Sequence, residues 1–321
     1  MLHPYKFRPI FKTVLWGGDK LSQFKGVDTQ LSKVGESWEI SGIPGRESIV
    51  CGGEDDGLTL RELIARHGAA LVGDAVLRRH GTEFPLLVKF IDAHDDLSIQ
   101  VHPDDKLARR RHGTGGKTEM WYIIDSEPHS HIGVGLNRAI TPRDLDRMVA
   151  DGSIAGAIAQ HESHADDVFY LPGGRIHTIG AGNLLAEIQQ ACDITYRVYD
   201  FDRRDARGNP RELHTHLAKN AIDYTVHDSY VAHYDRDGQG ETTLVQCEHF
   251  VVTRAIVDGQ LTLAMPQSFM IVMCIDGNVT LTDDAGGTTT MRRGETILVP
   301  ACRRQLIADG QATLLTTYLP E

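Results

Sequence analysis

Gln100 and His102 stand two residues apart in the run Leu97-Ser98-Ile99-Gln100-Val101-His102-Pro103-Asp104, which has the residue types of a β-strand. Strand side chains alternate between faces, so this spacing points an amide and an imidazole to one side of a sheet, where a single ion can take both. Glu119 heads an apolar run, Lys117-Thr118-Glu119-Met120-Trp121-Tyr122-Ile123-Ile124, and His177 follows the Pro/Gly turn of Pro172-Gly173-Gly174-Arg175-Ile176. One amide, one carboxylate and two imidazoles suit a divalent first-row metal. Lys117, two residues before Glu119, shares its face if the strand begins early.

Spacing alone is a weak signal in a chain with 16 histidines. The pairs His129/His131 and His214/His216 have the same separation. The first follows Glu127-Pro128 in a loop and the second opens an expected helix, where i, i+2 side chains diverge, so both read as surface features. Gly113-Thr114-Gly115-Gly116-Lys117-Thr118 resembles a phosphate-binding loop. The motif needs a glycine where Arg111 stands, and a strand rather than a helix follows, so nucleotide binding is rejected at this loop.

The elements that must position these residues are mostly strands. Leu86–Phe90, Ser98–Val101, Met120–Ile124, Val168–Leu171, Leu184–Gln189 and Thr195–Tyr199 are short β-rich runs broken by Gly, Pro and Asp. Such spacing predicts a sandwich or barrel of jelly-roll type. Two helical interruptions are expected. Leu58–His80 reads as one or two short helices around a break at Gly68, and Ile140–Ile158 opens with Thr141 as a cap and Pro142 in the first turn. After about residue 236 a second β unit is expected, with turns at Asp258-Gly259, Asp276-Gly277-Asn278 and Ala285-Gly286-Gly287. Its segment Met291–Ala301 echoes Asp166–Gly173, with Arg303 and Arg304 about where His177 stands in the first copy, so this barrel is expected to hold no metal.

Composition bounds the partners. The 321 residues are 41% hydrophobic and 24% charged, an ordinary globular balance with room for about two domains. A net charge of −11 argues against nucleic acid, though a few local cations can still receive an anionic substrate. The five cysteines lack CxxC spacing and are expected to be free thiols. No run approaches the length of a membrane span and the first residues lack a signal-peptide core, so a cytoplasmic protein without membrane partners is expected.

Several runs together resemble type I mannose-6-phosphate isomerases in their short bacterial form. They are IQVHPDD, KTEMWYI, the P-G-G-x-x-H turn, GNLLAEIQQACDITYRVYDFDR, GESWEIS at Gly35–Ser41 and RELH at Arg211–His214. The motifs fall between residue 1 and about 225; beyond that the likeness is one of architecture. Asp166, where glycine is usual, and Gly173, where alanine is common, depart from the family pattern and bear on local turn geometry. The resemblance implies a mainly β, double-cupin enzyme. Residues 1–235 would form a catalytic metal-binding cupin with helical insertions at about 58–80 and 140–160, and 236–321 a cupin-like barrel without metal.

Residue by residue, the resemblance implies one Zn²⁺ held by Gln100, His102, Glu119 and His177. It makes Arg197 the active-site arginine, Glu187 and Lys117 further active-site groups, and places Lys89 and Ser98 at positions associated with the sugar phosphate. The reaction implied is the interconversion of mannose 6-phosphate and fructose 6-phosphate through an enediol, on a monomer or homodimer. Arg197 would bear on the oxyanion, and Glu187 or Lys117 on proton transfer, with no choice between the two.

Plainer roles exist for the same residues. Arg197 could pair with Asp200 or Asp202 and Lys89 with Asp92, Trp38 reads as core or pocket wall, and Arg109-Arg110-Arg111 as a solvated face. Two other functional classes fit the fold: another metal-dependent cupin enzyme, such as an oxygenase or epimerase, and a non-catalytic sugar-binding cupin. A two-His-one-carboxylate iron site leaves more positions open than the four-residue set here. The joint presence of Lys117, Glu187 and Arg197 argues against a silent cupin.

Overall fold

The computed structural model describes residues 1–204 and 207–320. The chain is mainly β, as expected, and its strands form three antiparallel sheets. One sheet runs in the order Val168–Leu171, Glu119–Ser126, Asn183–Gln190, Leu86–Ala93, Val34–Ser41 and Ile10–Gly18. A second runs Tyr196–Tyr199, Ile99–Val101, His177–Ile179, His131–Leu136 and Ile158–Glu162.

The six-stranded sheet is buried on both faces, which is why Leu86–Ala93 reads as a nearly continuous apolar run. On one face Trp121, Ile123, Ile91, Ala93, Leu185 and Phe169 pack with Ile132, Val134 and Ile179 of the five-stranded sheet. On the other, Val88, Phe90, Met120, Tyr122, Ala186 and Ile188 join a core shared with Phe250, Val252, Ile271, Met273 and Leu315 of the C-terminal sheet. Every second residue of these strands therefore serves a different partner.

The third sheet contains Gly240–Gln246, Val251–Leu263, Leu306–Tyr318, Met270–Asp283 and Thr296–Val299, with Thr288–Arg292 beside Met270–Asp283. Its inner side is filled by Val257, Met270, Val272, Leu281, Met291, Ile297 and Leu314. Arg303 turns away from this filling to Asp284 at 3.3 Å and Asp283 at 3.9 Å. Tyr5–Arg8 lies far away in sequence but belongs to this sheet, with Tyr5 opposite Leu298 and Lys6 opposite Ile297.

The helical region after residue 58 is three helices, not one or two: Leu60–His67, Ala69–Val72 and Asp74–His80. Gly68 and Gly73 separate them, and a Cβ at Gly73 would lie 2.6 Å from the carbonyl oxygen of Gln267. The second expected helical region holds the helix Pro142–Ala150, with a capping box between Thr141 and Asp144, as its sequence implies. It gives way to a 3-10 turn at Ser153–Ala157 and then to the strand Ile158–Glu162, which periodicity did not reveal.

Two expected turns are not turns. Asp258-Gly259 lies inside the 13-residue strand Val251–Leu263, and Asp276-Gly277-Asn278 inside the 14-residue strand Met270–Asp283. Both glycines have positive φ, and the register shifts between Cys274 and Asp276, so the Asp-Gly pairs bend long strands instead of reversing them. The turn at Ala285-Gly286-Gly287 is present, held by the Gly287 and Ala285 amides donating to Asp283. A Cβ at Gly277 would meet the Gln311 carbonyl oxygen at 2.0 Å, whereas one at Gly259 would meet nothing within 4 Å. Gly259→Ala should therefore cost only the backbone strain, about 1 kcal/mol. Gly277→Ala should cost clearly more, seen as the larger drop in the urea midpoint. Equal midpoints would contradict this account of the two bends.

Candidate metal centre

Strand pairing brings the dispersed motifs together. In the five-stranded sheet Gln100 lies directly opposite His177 on one side and Arg197 on the other. Glu119 reaches in from the six-stranded sheet, with Oε2 3.5 Å from His102 Nε2 and Oε1 3.4 Å from His177 Nε2. The three ligand atoms of His102, Glu119 and His177 lie within 4.8 Å of one another, and all three residues are buried.

The histidines are oriented from outside. Carbonyl oxygens only accept, so the 2.8 Å contacts of His102 Nδ1 to Ile194 O and of His177 Nδ1 to Arg175 O place the proton on Nδ1 in both rings. Each Nε2 lone pair is thereby aimed at the cluster, the arrangement that metal-ligating histidines require. Burial pushes the His177 imidazole down to about 4 and, with help from Lys117 and His177, drives His102 well below its usual range. Both rings are therefore neutral donors at neutral pH. Burial raises Glu119, partly opposed by Lys117. Neither buried oxygen of Glu119 receives an aligned hydrogen bond, although the Lys117 ammonium lies 2.8 Å from Oε2. A buried carboxylate lacking aligned donors beside two outward-pinned imidazoles fits a divalent cation.

Gln100 adjoins this group with its amide nitrogen 3.3 Å from His177 Nε2, while its oxygen accepts a 3.4 Å hydrogen bond from Ser98 Oγ. Ser98 therefore steers Gln100, and no hydrogen bond joins it to Lys89 among the described residues. For Gln100 to offer oxygen to a metal, its amide must turn over.

From the cluster a series of alternating charges crosses the six-stranded sheet. Lys117 Nζ lies 3.1 Å from His102 Nε2 and 3.8 Å from Glu187 Oε1. Lys89 Nζ lies 2.7 Å from the same Glu187 oxygen and 3.8 Å from Glu36 Oε2. Burial alone would raise Glu187, but Lys117 and Lys89 outweigh it and hold the carboxylate down to about 2. Burial would likewise lower Lys89, yet Glu187 and Glu36 raise it above the ordinary lysine range. Lys89 thus pairs with Glu187 and Glu36, not with Asp92, whose carboxylate accepts from the Lys20 amide.

Arg197 sits at the rim. Its Nη1 donates to Glu212 O at 2.9 Å, and its buried Nε has no acceptor. Asp200 is engaged by Arg203 and Arg211, so it does not claim Arg197 as an ion pair. Burial and the neighbouring Arg211 lower the Arg197 pKa.

Four contributors were not singled out from sequence. Trp121 donates its indole N–H to Glu187 Oε2 at 2.9 Å and sets its ring edge-on to His177 at 5.2 Å between centroids. Its place two residues after Glu119 carried that signal. Glu36, in the run Gly35-Glu36-Ser37-Trp38, is the charged partner that a buried Lys89 requires. The carbonyls of Ile194 and Arg175 carry no sequence signal at all. The two departures noted from the family pattern also have physical content. Asp166 adopts a positive φ of 69° and accepts from the Tyr122 hydroxyl, and Gly173 passes so near Asp104 that a Cβ would lie 2.6 Å from its Cα.

Residues 5–130 match the phosphomannose isomerase type I catalytic domain and residues 240–319 the mannose-6-phosphate isomerase cupin domain. The chain is 34% identical to mannose-6-phosphate isomerase ManA of Bacillus subtilis, over 98% of this chain and 99% of that protein. It is 32% identical to mannose-6-phosphate isomerase of Streptococcus mutans, over 96% and 95% of the two chains. The crystal structure of the Bacillus subtilis mannose 6-phosphate isomerase superposes with a TM-score of 0.89 at 34% identity, covering 99% of this chain and 100% of that one. The cupin fold anticipated from sequence is thus the fold of the chain.

His102→Ala and His177→Ala should each abolish stoichiometric metal in the purified protein, read by elemental analysis. Gln100→Ala should cost less, because a neutral amide is the weakest donor of the set. Full metal content in both histidine variants would refute the assignment.

Proposed function

The chain belongs to the type I mannose-6-phosphate isomerase family, and from that premise we propose that it interconverts mannose 6-phosphate and fructose 6-phosphate as a zinc-dependent aldose-ketose isomerase. The observation that carries the reading is the buried His102/Glu119/His177 cluster, contiguous with the charges of Lys117, Glu187 and Lys89. Imidazole and carboxylate donors in a compact set suit Zn²⁺, with Gln100 as the fourth residue toward it. When bound, zinc supplies Lewis-acid polarisation of a sugar oxygen.

The remaining chemistry belongs to side chains. A base removes the proton from C2 of the open-chain aldose, the C2–H electron pair forms the enediol double bond, and the aldehyde oxygen takes up the displaced charge. O1 takes up a proton, the C2 hydroxyl gives one up so that its oxygen becomes the ketone carbonyl, and the enediol π pair takes the returned proton at C1. Arg197, half-buried beside Gln100 with a buried Nε to spare, is suited to the developing oxyanion. Glu187 stays ionised across the physiological range between its two lysines, and Lys117 borders the metal ligands; either can move the proton. Lys89 and Ser98 are assigned to the sugar phosphate. Residues 1–235 form the catalytic unit in this proposal and 236–321 a cupin-like barrel without metal. The protein acts as a cytoplasmic monomer or homodimer.

A coupled assay for fructose 6-phosphate tests the activity: chelation should abolish turnover and Zn²⁺ should restore it. Arg197→Lys should lower kcat on the order of a hundredfold while changing KM little, because a point charge cannot replace a planar two-pronged donor. Glu187→Gln should be equally severe if that carboxylate carries the proton, and mild if Lys117 does. Mannose 6-phosphate deuterated at C2 should turn over more slowly, or D₂O should label the product. Wild-type kcat in Arg197→Lys, Glu187→Gln and Lys117→Met alike would overturn the site.

A further inference from the structure

The alternating charges do not stop at Glu36. Lys12, on Ile10–Gly18, is the direct cross-strand partner of Glu36, so its side chain lies on the face that also carries Lys89 and Glu187. Trp38 on the central strand of the three is directly opposite Lys89. Its ring gathers three cations: Lys12 Nζ at 4.5 Å from the centroid, Lys89 Nζ at 5.7 Å and the Arg46 guanidinium at 5.8 Å. The indole N–H donates to Glu36 Oε2 at 2.5 Å, which fixes the ring among them.

The three cations differ in how their charge is met. Lys89 is balanced by Glu187 and Glu36, and Arg46 by Asp193 at 2.7 Å. Lys12 has no carboxylate within ion-pair distance among the described residues; it is partly exposed, as Arg46 is exposed, while Lys89 is buried. Along the same strand Val14 and Trp16 pack with apolar neighbours and Ile10 packs against Trp38, so Lys12 is the strand's one charged side chain beside that ring. An unpaired ammonium on a fixed aromatic platform beside a buried, doubly paired lysine is a receiver for an anion that enters from solvent.

We propose that Lys12 is a specificity-determining residue that receives the substrate's phosphate at the barrel opening, with Trp38 as the platform that aims it. The inference rests on the isomerase reading and extends it to a residue on a strand outside the motifs of the metal cluster. Lys89 is held by two carboxylates and reaches only part of a phosphate dianion; Lys12 supplies the charge left over. The sugar's reacting end then lies toward Glu187, on the strand next to that of Lys89, and Lys117, which precedes the strand Glu119–Ser126.

The test compares wild type and Lys12→Met with mannose 6-phosphate, with unphosphorylated mannose, and with inorganic phosphate as an inhibitor. Loss of one charge-assisted contact predicts a KM for mannose 6-phosphate raised roughly tenfold or more, with kcat changed far less. The inhibition constant of inorganic phosphate should rise in parallel, the preference for mannose 6-phosphate over mannose should fall, and Lys12→Arg should restore much of each. An unchanged KM, or a raised KM with unchanged phosphate inhibition, would overturn the proposal. Absence of turnover in the wild-type protein would instead remove the isomerase reading, while phosphate binding measured calorimetrically in both proteins would still decide the role of Lys12.

Discussion

The strand Asn183–Gln190 turns Glu187 toward the site and Ala186 and Ile188 toward the core shared with the C-terminal sheet. The same two-residue alternation puts Lys89 between Val88 and Phe90, and Glu119 and Trp121 on either side of Met120. Everything else depends on this pleat. A slip of one residue in any of these strands would bury a charge between the two sheets and lift an apolar group into the site, so the apolar core that fixes the register also fixes the chemistry. The charges themselves are tolerated because they alternate across strands. Lys117, Glu187, Lys89 and Glu36 each have an opposite neighbour, and removing one partner from a buried pair of this kind costs about 3–5 kcal/mol.

The metal cluster adds a second requirement, met by loops. His102 and His177 are brought near Glu119 by strand pairing, but their ring protons are placed by the carbonyls of Ile194 and Arg175. Ile194 belongs to the segment that leads from Gln190 back into the five-stranded sheet, so the connection between the sheets also sets a ligand's tautomer. Trp121 links the two halves of the site, with its N–H on Glu187 and its ring edge against His177.

Much of this was legible in the sequence because it obeys short periodicities. Gln100/His102 and the position of Glu119 follow from strand alternation, and most of the strands around them appeared as short apolar runs. Helix caps at Thr141 and the break at Gly68 were local chemistry and could be read locally. What failed was of another kind. Asp-Gly pairs serve both hairpin turns and bends in long strands, and only the pairing of Gly259 with Gly310 and of Gly277 with Ala312 separates the two. Ile158–Glu162 was hidden behind a helical pattern that ends one 3-10 turn earlier. The ion pairs of Arg303 with Asp283 and Asp284 could not be read either, because they join residues brought together only across a hairpin.

Tyr5–Arg8 joins the C-terminal sheet between Thr296–Val299 and Ile49–Val50, with Lys6 reaching Glu295 across 289 residues of chain. During synthesis this strand leaves the ribosome long before the one it pairs with. It must wait, unpaired along that edge, while the six- and five-stranded sheets are made between the two. The long separation slows closure of the last sheet relative to sheets built from nearer strands, and it ties the order of folding to the order of translation. Once closed, the same strand joins Thr296–Val299 to Ile49–Val50, so this sheet cannot open along that line without freeing Tyr5–Arg8 from both.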